Sequence, residues 1–473
     1  MTTTKKIVMD FLSKYGMCHA DVDLEKNCEL FIGDMEDALR SSGGGTLLML
    51  PTYTEVKGGI PTNDPVIVID AGGTNLRVSL INFDNSKKAV IEYFELYEMP
   101  GTYGEITASE FYDALYEYLL PILDKGGKIG FCFSHGMEMA PNKDGRLTRL
   151  SKETRITGLD GEMIGEKLLD KISEKGHGKK SVVLLNDTTT TLLGGKAAYP
   201  ERVFDNYIGL VLGTGFNTSY IEKNRNILKL NELHDMSGNM IINVETACFK
   251  KAPLGVIDRD FDNEAPVKGR WQFEKAISGG YQGGLILAVL KQAAKDGLFS
   301  EKVSKKILGM KSLDTKDIDD FLYYPYDARK SVLAALLEPD NGIRLENIND
   351  VIITGDLETG IGASYSNVDL NSTESDRYII FYIIDSIIER AAMFVTFVLA
   401  ALLEKTSSGK NPCAPVCVTA DGTTFYKSKI LRPKLDHYVK TYINEQKHRY
   451  LEFIEADNCV LVGTAIAALQ NCV

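Results

Sequence analysis

The chain opens with apolar residues at helical spacing. Ile7, Val8, Phe11, Leu12 and Tyr15 fall on one face of a short amphipathic helix. A loop rich in turn formers, Pro51 to Pro65, then gives way to Val66-Ile67-Val68-Ile69-Asp70, an apolar run of strand length. Gly72-Gly73 closes that run and the alternating stretch Leu76 to Phe83 follows, which predicts a hairpin on a glycine turn. Residues 107–124 read as helix, and Ile129 to Phe133 as a short strand ending at Ser134. A polar helix is expected over 161–173, then a strand from Val182 to Leu185 that ends at Asn186-Asp187.

The pattern then restarts. Tyr207 to Leu212 leads into Gly213-Thr214-Gly215 and on to Ser219-Tyr220-Ile221-Glu222, a second strand, glycine turn and strand. This reads as a weak internal repeat of the first hairpin. Helical patterning dominates 272–306, 316–338 and 376–405, and Val416 to Thr419 is one more buried strand, running into Asp421-Gly422-Thr423. A small-residue helix is expected over 463–469, and 171–181, 302–316 and 405–412 read as linkers. At 473 residues the chain exceeds the roughly 250–300 at which one core stops growing. The expected fold is therefore α/β, with two related lobes flanking a cleft.

Charge and cysteine usage narrow the partners. The net charge of −12 comes without a basic block, which argues against nucleic acid, since backbone phosphates need clustered Lys and Arg. A nucleotide held in one local site stays open. The eight cysteines are scattered, and Cys413 and Cys417 have no second pair at zinc-like spacing, so free thiols in a reducing compartment are expected. No apolar run in the sequence reads as reaching the ~20 residues of a membrane helix, and the first residues lack the features of a secretory signal. A cytoplasmic protein without membrane partners is the expectation.

Three turns carry candidate chemistry. In Asp70-Ala71-Gly72-Gly73-Thr74-Asn75-Leu76-Arg77, glycines let backbone N–H groups approach a phosphate, Thr74 and Asn75 add donors, and Arg77 adds charge. Asp70 at the strand end can hold Mg²⁺ through water. The same segment also reads as an ordinary hairpin turn in which glycine supplies positive φ. Gly213-Thr214-Gly215 offers a second grip from across a cleft, and Gly422-Thr423 a contact to the nucleoside end. Asp187 is placed either to accept the proton of an attacking hydroxyl or to cap the helix that follows.

Taken together these segments resemble the hexokinase family. Met49-Leu50-Pro51-Thr52-Tyr53, Asp70 to Arg77, Asn186-Asp187-Thr188, Gly213 to Asn217, Ile242-Asn243-Val244-Glu245 and Phe273 to Tyr281 occur in that family's order. Glu389-Arg390-Ala391-Ala392 and Ala420 to Thr423 continue the match, over roughly residues 30 to 470. The resemblance implies two ribonuclease-H-like lobes of the actin-like ATPase superfold, closing on a hexose and ATP with Mg²⁺. The expected small lobe is 64–188 plus 453–473, and the large lobe 1–63 plus 189–452. It implies Asp187 as general base on the sugar 6-hydroxyl, and Asn186, Asn217 and Glu245 on ring hydroxyls. Ser134, Ser151 and Lys152 fall at the family's other sugar positions, Lys152 also facing the moving phosphoryl group. Thr214 and Thr423 would serve the nucleotide, and the assembly would be a monomer or homodimer.

Two departures stand out. The family's Tyr-x-Gly-Glu is Tyr281-Gln282-Gly283-Gly284 here, so Gly284 takes the place of an acid that binds the sugar near its anomeric carbon. Relaxed selectivity at the C1/C2 edge is expected. The family's Phe-Ser-Phe-Pro is Phe133-Ser134-His135-Gly136, and Leu150 replaces a tryptophan, so a differently shaped sugar loop is expected, with His135 either a ligand contact or a packing or solvent-side group. A bacterial sugar kinase of the same superfold normally carries a Cys/His zinc motif, which this sequence lacks. A catalytically impaired sugar sensor is the remaining alternative, kept open by Gly284.

Overall fold

The computed structural model describes residues 3–150, 154–230, 236–322, 331–337 and 373–472. Helices α1 (Thr3–Lys14) and α2 (Leu24–Arg40) precede a short strand, β1 (Leu50–Pro51). A first block follows, with β2 (Val66–Ala71), β3 (Asn75–Phe83), β4 (Ala89–Glu98), β5 (Ile106–Thr107), α3 (Ala108–Leu119) and β6 (Lys128–Phe133). It continues through β7 (Gly136–Met139), β8 (Gly145–Arg149), β9 (Ile156–Thr157), α4 (Ile164–Glu174) and β10 (Ser181–Leu185). Helix α5 (Asp187–Ala198) leads to β11 (Asn206–Leu212), β12 (Phe216–Lys223) and β13 (Asn239–Asn243). Then come α6 (Val256–Glu264), α7 (Gln272–Lys275), α8 (Gly279–Lys295), α9 (Glu301–Gly309), α10 (Thr315–Phe321) and α11 (Val332–Leu337). The chain closes with α12 (Thr373–Lys405), β14 (Val416–Asp421), α13 (Thr423–Lys427), α14 (Leu431–Tyr438), β15 (Leu451–Ile454) and α15 (Cys459–Asn471).

The internal repeat is carried by the sheets. One sheet runs β10-β6-β2-β3-β4, and the other β1-β13-β12-β11-β14-β15. In each, a three-strand antiparallel meander is extended by two parallel strands on the side of its first strand. β2 is buried at all six positions because strands flank it on both sides and helices cover the sheet, which is why its sequence is apolar without alternation. Edge strand β4 was not expected from the sequence. It is mostly exposed, so no buried face imposes an apolar alternation on it.

The last helix of each repeat lies on the other repeat's sheet. α5, which follows β10, packs on β11 and β14, whereas α15, which follows β15, packs on β2 and β6. The two helices also pack on each other, so the order of layers is sheet, helix, helix, sheet. Glycines make each step close. A methyl group on Gly130 of β6 would come within 2.7 Å of Thr464 Cγ2 in α15. One on Gly463 would strike the Thr190 carbonyl of α5 and sit 2.8 Å from Gly194 N. One on Gly209 of β11 would sit 2.6 Å from Ser219 Oγ and strike the Thr188 carbonyl.

Several expectations are corrected. The stretch 302–316 is no linker. Ser300 caps α9 by accepting from Val303 N, and Val303, Ile307, Leu313 and Ile318 are buried through α9 and α10. Helix α4 likewise runs into the expected linker 171–181, as far as Glu174. The expected lobe division at 452/453 falls inside β15, which pairs with β14 as one strand from Leu451 to Ile454. A membrane-length apolar segment does exist, since Glu374–Lys405 has a window of mean hydropathy 1.9, and 94% of that window is buried in the protein. Asp385, Glu389 and Arg390 interrupt the pattern in sequence. In the fold Arg390 makes a bidentate pair with Asp258 at 2.6 and 2.7 Å, and Lys434 joins Asp385 and Glu389 at 2.7 and 2.8 Å. The paired charges let α12 serve as the central helix of the larger core.

Gly463→Ala is expected to lower stability by about 2–3 kcal/mol, because two helix backbones must separate to admit the methyl group. Urea unfolding measures this. A midpoint unchanged from the parent chain would show that α5 and α15 have room to part.

Candidate active site

The start of α5 is the centre of the site. β10 ends at Leu185, and Asn186 then takes an extended conformation and accepts from Thr188 N at 2.9 Å, capping the helix. The capping role weighed for Asp187 therefore belongs to its neighbour. Asp187 is the first helical residue, and its Oδ1 accepts from Thr188 N at 2.7 Å and Thr188 Oγ1 at 3.2 Å. Burial pushes its pKa above the ordinary carboxylate value, the Thr188 bonds pull it back, and the charge of Asp421 pushes it up again. A carboxylate held on one oxygen, with its affinity for a proton increased, is suited to proton acceptance.

The glycine turns differ in what holds them. In the turn from β2 to β3, Gly72 N donates to Asn75 O at 2.9 Å, and Asp70 faces Arg77 across the ladder at 3.0 Å. Neither Gly72 nor Gly73 has positive φ, so the plain hairpin reading does not explain them. A Cβ on Gly72 would meet nothing closer than 3.5 Å, so packing does not require glycine there either. What the residue leaves is a bare backbone edge. Asp70 is 7% exposed, and burial, against the pull of Arg77 and with a further push from Asp187, raises its pKa to about 6.

The other two turns form one unit. Gly422, at φ 115°, packs its backbone on Gly213, where a methyl group would lie 2.6 Å from Gly213 N. Thr424 Oγ1 donates to Gly213 O at 2.8 Å, while Gly279 N and Gly280 N at the start of α8 donate to Gly213 O and Thr214 O. Gly215 lies against Glu274, whose Oε2 accepts from Phe216 N at 2.8 Å. The nitrogens of α8 thus shape this turn. Thr423, expected at the nucleoside end, opens α13 directly beside it.

A cavity of about 650 Å³ adjoins Asn186. On one wall, Asn243 Nδ2 donates to Glu245 Oε1 at 2.8 Å, and Asn217, which does not itself line the cavity, donates from Nδ2 to Asn243 Oδ1 at 2.8 Å. Asn217 Oδ1 accepts from Thr218 N and Thr246 N, which fixes the amide's orientation. Glu245 stands in the left-handed region at φ 55°, and burial first, then the charge of Asp187, raises its pKa. Asn243 was quoted in the resemblance but given no role. Its signal was a polar residue closing the apolar run Met240-Ile241-Ile242, and the register of β13 places it beside Ser219 and Leu50.

The remaining expected residues divide. Ser134 N donates to Ala71 O and prolongs the pairing of β6 with β2, and its side chain does not line the cavity. His135 does line it, at 5% exposure and with its ring 4.4 Å from that of Phe133, so it is a packed wall group and not a solvent-side one. Ser151 and Lys152 lie outside the described residues. Gly284 sits in α8 away from the cavity, and a Cβ there would be 3.0 and 3.1 Å from the Phe261 ring. Position 284 therefore does not reach the cavity, and the relaxed selectivity expected from it has no basis in this geometry. Arg149 and Trp271, which line the cavity, had no expected role.

Comparison with known proteins gives a consistent picture. A family model described as hexokinase matches residues 207–470, and a second with the same description matches 12–197. Hexokinase-5 of Oryza sativa subsp. japonica is 28% identical over 404 residues, covering 81% of this chain and 73% of the relative. Hexokinase-1 of Spinacia oleracea is 30% identical over 336 residues, covering 65% of this chain and 66% of that one. A hexokinase from Schistosoma mansoni solved in complex with glucose superimposes with a TM-score of 0.71 at 20% identity, covering 98% of each chain. That similarity places this chain in the two-lobed actin-like ATPase fold.

Asp70 gives a test of the site's electrostatics. Its pKa of about 6 in the folded chain lies above the unfolded value, so stability falls as pH rises from about 4 to about 6 and stays lower beyond. Without ligand or metal, Asp70→Asn is expected to gain about 2–3 kcal/mol over the parent at pH 7.5 and little at pH 4. Melting curves at the two pH values check this. Equal shifts at both would mean the carboxylate is not held at a raised pKa.

Proposed function

This chain belongs to the hexokinase family, and on that premise we propose that it moves the terminal phosphoryl group of ATP to the 6-hydroxyl of a hexose, glucose first among them. The observation that carries the assignment of roles is the position of Asp187. It begins the helix between the two sheets, is electrostatically coupled to Glu245 of the cavity and Asp421 of the paired turns, and has a raised proton affinity.

Each step draws on a different part of the site. Asn186, Asn217 and Glu245 hydrogen-bond the ring hydroxyls, and Asn243 keeps Glu245 and Asn217 in register. That leaves one hydroxyl directed at Asp187, whose free oxygen takes the proton as the new O–P bond forms. The bare edge at Gly72 and Gly73, with Thr74 and Asn75, and the Gly213–Gly215 turn, with Gly422 and Thr423, hold the phosphates by backbone and hydroxyl donors. Phosphoryl transfer needs little beyond such positioning and charge stabilisation.

A divalent cation fits this arrangement. Asp70 is a buried carboxylate whose pKa stays high despite Arg77, which marks a local shortage of positive charge. Bound with ATP, Mg²⁺ would be held there through water and by the phosphates, and would neutralise charge on the transferring group. Water competes with the sugar as acceptor, so a site completed only by closure on a hexose limits futile hydrolysis. A cytoplasmic role at the entry of hexoses into glycolysis accords with this chemistry.

A coupled assay with ATP, Mg²⁺ and a panel of hexoses tests the reading, and the absence of hexose-dependent ADP formation would favour the sugar sensor. Asp187→Ala should lower kcat by about 10²–10⁴-fold with a smaller change in sugar affinity. Near-parental turnover would remove Asp187 from the base role. Asp421→Asn removes a like charge that raises the Asp187 pKa, so the acidic limb of kcat/KM should move to lower pH.

A further inference from the structure

Trp271 is the single tryptophan of the chain, and it stands at φ 53°, a conformation that bulky residues seldom adopt without support. It precedes α7, whose Phe273 is buried in the core of the larger lobe, and it lines the hexose cavity. The guanidinium carbon of Arg149 lies 5.5 Å from the indole centroid, within cation–π range. Arg149 belongs to the other lobe. It ends β8, and the β7–β8 hairpin is anchored by Met137 and Leu147 in the core of the smaller sheet. Gly136, where the family pattern has proline, is the residue that pairs with Arg149.

One contact therefore spans the cleft at the cavity wall, with one partner from each lobe. Trp271 lines the cavity together with its neighbours Arg270 and Gln272, so an aromatic surface stands among polar ones. Sugar rings expose C–H faces that an aromatic wall covers well, and a planar guanidinium can stack on the ring's other face.

We propose that Trp271 and Arg149 form a latch on the hexose pocket: the indole walls the bound sugar, and the guanidinium from the opposite lobe holds the indole, so that sugar binding and lobe closure are coupled through this contact. Trp271 acts as a specificity-determining residue and Arg149 as a positioning residue. The inference rests on the hexose-kinase reading above. Closing the latch removes water from the pocket at the moment the acceptor is held.

Because Trp271 is the only tryptophan, its emission reports on the latch without requiring turnover. Glucose titrated into the full-length chain should change the emission of the parent protein. Arg149→Ala should abolish most of that change and raise the glucose KM about fivefold, with the ATP KM within about twofold of the parent. Trp271→Ala should raise the glucose KM about tenfold, and Trp271→Phe, which keeps an aromatic ring, should restore it to within about threefold. An emission change and a glucose KM in Arg149→Ala equal to those of the parent would overturn the latch. So would equal KM values for Trp271→Ala and Trp271→Phe. A parent protein that forms no ADP with any hexose yet shifts its emission with glucose would instead overturn the kinase reading alone.

Discussion

The contact on which the rest of the structure depends is the crossing of α5 and α15. Each helix follows the last strand of one sheet and packs on the other sheet, and the two meet where Gly463 reaches the Thr190 carbonyl and Gly194. Replacing side chains by backbone at these crossings removes adjustable material from the centre of the molecule. Interiors are close-packed, so a layer without flexible side chains transmits displacement and does not absorb it. The first residue of α5 is Asp187. A rotation of one sheet against the other therefore acts directly on the carboxylate proposed as the base.

Electrostatics makes the same place sensitive. Asp70, Asp187 and Glu245 each have a raised pKa, with burial as the leading cause, and the charge of Asp187 contributes to the rise at the other two. Among the described residues Arg77 is the cation that offsets Asp70, and it is half exposed. Like charges held close in a poorly hydrated cleft favour whatever brings hydrogen-bond donors or positive charge. On the proposed function, hexose hydroxyls would supply donors to Glu245 and Asp187, and a metal–nucleotide complex would supply compensation near Asp70. Ligand binding would then relieve a repulsion that the fold itself created.

Much of this was legible because the repeat is written in local signals. An apolar run ending in glycine, with a second strand after it, marks both glycine hairpins, and Asn186-Asp187 directly after a strand marks the helix start. What escaped depends on partners distant in sequence. Val303 and Ile307 belong to a helix only because α8 and α11 receive them, so a lysine-rich surface face read as a linker. The helix over 376–405 was read from its pattern, but Asp385, Glu389 and Arg390 hid its membrane-length apolar character, which Asp258 and Lys434 explain by pairing with them. β15 was divided because its identity as a strand comes from β14. Trp271 carried no motif, and its position became meaningful only once Arg149 arrived from the other lobe. The residues 151–153, which bear two of the expected sugar contacts, lie outside what the structure describes.

The exchange of helices between repeats also sets an order of assembly. β2, β3, β6 and β10 are complete early in synthesis, yet α15, which covers one of their faces, is made hundreds of residues later. Until it arrives, Ile67, Ile69 and their neighbours can bury only one side of the sheet, against α3 and α4, and the other side stays open. A nascent chain is thus left holding an apolar sheet surface while the larger lobe is still being made, a circumstance that invites association with chaperones or with other unfinished chains. The helix that joins the lobes in the mature protein is, for the ribosome, the last piece of the first domain.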